Sequence, residues 1–142
     1  MATSLDITNL TRRQTPGVPY AKLVSRILPG WDISLVFVGE QRARTLNHSL
    51  RGKGYTPNVL SYAAGSKHGE IIICLVVAEK QAPAYGLSYR PYIAFLFIHG
   101  MLHLKGLVHG ATMERRERAL LASVFPTTHF PTSNGSTHSN RN

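Results

Sequence analysis

Apolar residues recur along this chain in two periods. Leu5 and Ile7 alternate with polar neighbours, which predicts a short first strand over residues 5–9. Pro16, Gly17 and Pro19 then break the chain. Apolar positions 20, 23, 24, 27 and 28 fall at helical spacing, and Pro29-Gly30 closes that segment. Residues 33–38 are β-branched and aromatic-rich and read as a second strand. Residues 40–50 return to helical spacing, with Ala43, Leu46 and Leu50 on one side. The stretch RGKGYTP over 51–57 is rich in turn formers and places Arg51 in a loop. Residues 58–63 alternate as a strand does. GEIIICLVV, over 69–77, is the strongest strand pattern in the sequence, with a hairpin loop over 64–68 between the two.

The second half reads as helical. Ser88 offers an N-cap, and Pro91 stands in the first turn, where its missing N–H costs little. Residues 89–105 are apolar nearly all round, the mark of a helix buried in the core. Gly106 is placed to end it in a left-handed turn. Residues 113–125 form a final amphipathic helix, apolar at 113, 120, 121 and 124. From 126 to 142 the chain is mostly Thr, Ser, Asn, Gly and His, a composition that predicts a disordered tail behind a domain over 1–125. Helices and strands mix without regular alternation. The expected architecture is α+β: one two-layer domain with a mixed sheet of about four strands, helices packed over it, and a buried central helix.

Composition narrows the class. A chain of 142 residues supports one core that buries roughly two-thirds of the unfolded surface. Its apolar runs are too short to span a membrane. The N-terminus lacks the basic and apolar regions of a secretory signal. The lone Cys74, set among apolar residues, suits a buried thiol in a reducing compartment, so the expected location is cytoplasmic. Sixteen Lys and Arg stand against seven Asp and Glu, a net charge of +9. No run reaches five like charges, so the picture is a folded basic surface that favours polyanions, although a high pI also serves plain solubility.

The chemistry concentrates in HGMLHLKGLVH, residues 99–109. On a helix His99 and His103 lie one above the other with Cβ atoms about 5–6 Å apart, close enough for both rings to reach one ion. Gly106 turns the chain so that His109 approaches from another direction. Three neutral nitrogens leave a fourth position open, the pattern of a catalytic zinc. This places a metal site, one Zn²⁺ per chain, at the C-terminal end of the central helix. The spacing HxxxHxxGxxH matches the metal-binding part of the metzincin signature, but Gly100 stands where a zinc protease carries its general-base Glu. A peptidase is therefore disfavoured unless a Glu from elsewhere, such as Glu70 or Glu114, reaches the metal. His48, His68, His129 and His138 lack this arrangement.

The same segment resembles the HGxLHLxGxDH motif of the YbeY-type endoribonucleases, which act in ribosomal RNA maturation and ribosome quality control. LNHSLRGKGYTPNVLSY is similar to that family's LNxxYRxKDxPTxVLSF block, and GEIIIC to its GDIxIC strand. The resemblance implies zinc on His99, His103 and His109, and a functional arginine at Arg51. A guanidinium near the metal can hold a phosphate bidentately and offset charge developing in the transition state. Lys53 and Lys105 are weaker candidates for RNA contacts. Two departures stand out: Val108 replaces the family's Asp, and Thr56-Pro57 reverses its usual order.

The implied activity is zinc-dependent, single-strand-specific RNA cleavage in rRNA processing, at the 3′ end of 16S rRNA. The implied partners are single-stranded RNA and the ribosome or its small subunit, with neither DNA nor membrane. The alternative is a ribosome- or RNA-binding assembly factor whose zinc is structural, a reading that Val108 supports.

Overall fold

The computed structural model describes residues 2–126, so nearly all of the expected tail, with His129 and His138, lies outside the described residues. Four strands, β1 (Ser4–Asn9), β2 (Asp32–Val38), β3 (Val59–Gly65) and β4 (His68–Cys74), form one sheet in the order β1-β2-β4-β3. β1 and β2 run parallel across the crossover helix α1 (Tyr20–Ile27), β2 and β4 are also parallel, and β3 and β4 make an antiparallel hairpin. Only Ser66 and Lys67 separate the hairpin strands, a tighter turn than the sequence pattern implies.

Alternation along the strands divides the apolar residues between two faces. Leu35 and Phe37 of β2, Ile71 and Ile73 of β4 and Val59 of β3 face the main core. There they meet α1, the central helix α4 (Tyr89–Lys105) and the last helix α5 (Ala111–Val124). On the other face Val38, Leu60, Ile72 and Cys74 pack beneath α2 (Glu40–Arg51) through Ala43 and Leu46. Burial at this second core pushes the Cys74 thiol pKa up.

α4 takes the bounds its composition predicts. Ser88 is extended at its start, and Gly106, at φ 109°, closes its end with its N–H on the His103 and Leu102 carbonyls. Residues 92–102 are all buried. Close approach to β4 depends on glycine on both sides. A Cβ on Gly69 would lie 2.5 Å from Leu104 Cδ1, and one on Gly100 would lie 3.3 Å from Ile71 Cγ2.

Two elements differ from the sequence pattern. The GEIIICLVV strand stops at Cys74, and Leu75–Gln81 forms a helix, α3, followed by a short 3₁₀ turn at Ala82–Tyr85. The sheet partners of β4 run out here: Cys74 pairs with Val38, and Ile73 with Val59. With no ladder to join, 75–81 coils and buries Leu75 and Ala78 at i and i+3, which overrides the β preference of its valines. α2 also runs one residue past its apolar pattern. Gly52, at φ 68°, caps it, so Arg51 sits on the last helical turn instead of in a loop. Among the described residues no helix is long and apolar enough to cross a membrane.

Candidate metal centre

α4 and the turn after it bring His99, His103 and His109 together as expected. One ligand nitrogen from each lies within 4.8 Å of the others. The ring centroids are 4.5 Å apart for His99 and His103, 4.8 Å for His103 and His109, and 5.2 Å for His99 and His109. Burial is graded across the group. His99 is fully buried against Phe95, His103 is half-buried and His109 is exposed, so the cluster opens to solvent on the His109 side.

The outward nitrogens of two rings are held by acceptors. His99 Nδ1 lies 2.5 Å from Oε2 of Glu117, and His103 Nδ1 lies 3.1 Å from the Leu107 carbonyl oxygen. A carboxylate and a carbonyl accept but do not donate, so each neutral ring carries its proton on Nδ1. Both Nε2 lone pairs then point inward, 3.1 Å apart. Two ligands at about 2.0–2.1 Å on a tetrahedral ion would stand about 3.3 Å apart, so the pair fits a cation of zinc's size. The donor set matches the expected three-nitrogen site.

Glu117 is the functional residue that sequence reasoning passes over. It is buried on α5 between Met113 and Leu121, at i+4 and i+8 of one stripe. A carboxylate on the apolar stripe of a helix is the signal that was available, because a buried acid needs a partner. It also changes the meaning of Val108. That residue is 78% exposed, while the carboxylate that meets His99 comes from α5.

The remaining predicted residues fall at different places. Arg51 Nη1 donates to the Tyr55 hydroxyl at 3.0 Å and approaches Asn47 Oδ1 at 3.5 Å. Lys53 is exposed in the loop after α2. Lys105 Nζ donates to the Ile27 carbonyl at 3.0 Å, which ties the end of α4 to the end of α1. Gly100 faces the Ile71 side chain, so its position belongs to the helix–sheet contact. Glu70 bonds Tyr62 within the β3–β4 pair. It shares its face of β4 with Ile72 and Cys74, the face opposite α4. Among the described residues Glu70 is bonded to Tyr62 on the far face of the sheet, and Glu117 meets His99 at Nδ1, behind the nitrogen that faces inward. At position 100, where a zinc protease carries its general-base Glu, this chain has Gly against Ile71.

Comparison with known proteins places the chain in a family. The chain is 35% identical to Endoribonuclease YbeY of Alkaliphilus oremlandii over 117 residues, covering 69% of this chain and 78% of the relative. Its counterpart in Neisseria meningitidis is 38% identical over 112 residues, covering 67% of this chain and 66% of the relative. A solution structure of a Thermotoga maritima protein superposes with a TM-score of 0.65 at 19% identity, covering 86% of this chain and 89% of that one, which establishes the shared fold. The Endoribonuclease YbeY family profile matches residues 7–124, and that span runs from the first strand through all three histidines to the helix that carries Glu117. The chain belongs to the Endoribonuclease YbeY family.

Proposed function

We propose that this protein is a zinc-dependent endoribonuclease that cleaves single-stranded RNA during ribosomal RNA processing, at the 3′ end of the small-subunit RNA, and serves ribosome quality control in the cytoplasm. Family membership supports an RNA-cleaving role. The observation that carries the metal part is the pair of inward Nε2 atoms 3.1 Å apart, with His109 completing the group. His99, His103 and His109 would hold the ion. When bound, it supplies Lewis acidity toward a phosphoryl oxygen and lowers the pKa of a water toward about 7.

The other roles fall to the chain itself. Glu117 and the Leu107 carbonyl hold two rings in the ligand tautomer, so the donors need no rearrangement. Arg51, on the last turn of α2, binds a backbone phosphate and offsets its charge as the leaving oxygen departs. Lys53 adds attraction for the RNA backbone. Lys105, anchored on α1, contributes positive potential from a fixed position. The catalytic domain would comprise residues 1–125, and the ribosome or its small subunit would present the RNA. Exposure of His109 supports a catalytic ion over the closed site of a purely structural one.

The test is cleavage of a labelled single-stranded RNA with a precursor 3′ end. The protein is assayed as purified, after chelation, after zinc return, and as His103→Ala and Arg51→Ala. Cleavage lost with chelator, restored by zinc and absent from both variants is the expected result. Zinc bound at one equivalent that raises the melting temperature without any RNA cleavage would overturn the proposal in favour of the assembly factor.

A further inference from the structure

The loop after α2 holds one aromatic side chain partly out in solvent and fixes it there. Three side chains from α2 staple this loop. Arg44 Nε donates to Thr56 Oγ1 at 3.1 Å, Asn47 Nδ2 donates to the Tyr55 carbonyl at 3.0 Å, and Arg51 Nη1 donates to the Tyr55 hydroxyl at 3.0 Å. Asn47 is fully buried, so the staple at the Tyr55 backbone is anchored in the protein interior. Gly52 at φ 68° turns the chain back toward α2, and Lys53 N–H closes on the Asn47 carbonyl at 3.3 Å. Tyr55 is thus held at both ends, carbonyl and hydroxyl, while 47% of its surface stays exposed.

Scattered exposed apolar residues are ordinary and need no explanation. Tyr55 differs because its hydroxyl is held by the guanidinium assigned to the phosphate. A side chain whose rotamer is already fixed gives up little entropy when a partner lands on it. A nucleotide presents a flat base at one end and a charged phosphate at the other. An aromatic ring hydrogen-bonded to a guanidinium presents a flat face beside a positive charge, the complementary pair of surfaces. Only an unpaired base has a face to give, because in a duplex each face is stacked on its neighbours.

We infer that Tyr55 is a stacking platform for one unpaired base of the substrate RNA and thereby a determinant of single-strand specificity. The inference rests on the RNA-cleaving reading above and adds to it the residue that recognises the single strand. Stacking of one base on an aromatic side chain is worth about 5- to 140-fold in affinity, and a partly exposed ring belongs near tenfold.

The test uses the full chain with Tyr55→Leu and Tyr55→Phe, on single-stranded and duplex RNA and on single strands carrying one abasic nucleotide walked along the sequence. KM, kcat and, on the chelated protein, RNA binding by fluorescence anisotropy are measured. For Tyr55→Leu the expected result is a rise of about tenfold in Kd and KM for single strands, with reduced discrimination against duplex. Tyr55→Phe keeps the ring and restores most of the affinity. In the wild type an abasic nucleotide at one position costs the same tenfold, and in Tyr55→Leu that position becomes indifferent. If the wild type cleaves RNA and Tyr55→Leu matches it in KM, Kd and strand discrimination, the stacking role is wrong and the nuclease reading stands. If the wild type neither binds nor cleaves RNA, both fall together.

Discussion

Replacing Glu117 tests the metal centre through a residue that does not touch the ion. Glu117 is buried and its Oε2 lies 2.5 Å from His99 Nδ1, so the substitution acts on the ring that carries the most buried ligand nitrogen. Glu117→Gln keeps the shape and an amide oxygen that accepts the Nδ1 proton, but removes the charge that makes the ring more basic. Glu117→Leu removes the acceptor as well, leaving a buried N–H without its partner and letting the proton move to Nε2, where it blocks coordination. Partners of metal-bound histidines are worth about 10- to 100-fold in affinity. The expected losses are therefore about tenfold for Gln and about 100-fold for Leu, or roughly 1.4 and 2.8 kcal/mol. Zinc affinity is read by competition with a chromophoric chelator. Melting with and without zinc provides the second readout. At fixed zinc well above both dissociation constants, a 100-fold weaker site loses about 2.7 kcal/mol of metal-linked stabilisation. Metal-free melts separate this from any direct cost of the buried N–H, about 1–3 kcal/mol. Equal zinc affinity in the wild type and both variants would refute the argument that Glu117 orients His99.

Other measurements follow from the same contacts. Gly100→Glu completes the zinc-protease motif on paper, but its side chain would enter the α4–β4 contact, where a Cβ already lies 3.3 Å from Ile71. Thermal melting should show a loss of about 3 kcal/mol or more and a peptide assay no gain of hydrolysis; a stable variant with peptidase activity would overturn that geometry. Tyr62 is pushed up to about 12 by its hydrogen bond to Glu70 and by burial. Because the folded value lies above the ordinary value near 10, this bond's contribution is complete below pH 10 and is lost as pH rises toward 12. Absorbance titration should find, among the tyrosines that titrate late, one that moves down in Glu70→Gln. Finally, α5 fully buries Met113, Glu117 and Leu121 and packs Leu120 and Val124 at the edge of the core, so the Glu117–His99 contact is the polar part of its docking. Amide exchange in residues 111–124 should speed up in Glu117→Leu while the sheet keeps its protection; unchanged exchange would show that apolar packing alone holds α5.

Much of this fold and site was legible in local pattern. The central helix ran from 89 to 105 because an all-round apolar segment has one place to go, and Gly106 marked its end. The three histidines were readable because a helical i, i+4 pair and a glycine turn are local geometry. What escaped depended on partners distant in sequence. Leu75, Val76 and Val77 continue a strand pattern, yet they coil because β2 and β3 offer no pairing beyond Val38 and Val59. Arg51 looked like loop because its neighbours are turn formers, and Gly52 instead closed a helix around it. Glu117 was hidden among the charged residues of ATMERRERALLASV, since its role requires α5 to lie against His99, 18 residues back in the chain.

The two orienting acceptors have different origins, and that difference accounts for the exposed Val108. His103 is held by the Leu107 carbonyl, a backbone atom of the same turn that carries the third ligand. Any side chain at 107 supplies it, so this half of the site depends on the turn's shape and on Gly106. His99 is held by a side chain that arrives only after the chain has passed His109, turned at Gly110 and started α5. A carboxylate at 108 would stand at the open rim, in solvent, where an ionic contact is weak. The same charge at 117 is buried and meets the His99 ring directly. Position 108 can therefore lose its acid without losing the contacts that hold His99 and His103, whereas position 117 cannot. The motif of residues 99–109 supplies three nitrogen donors, and α5 supplies the carboxylate that holds one of them.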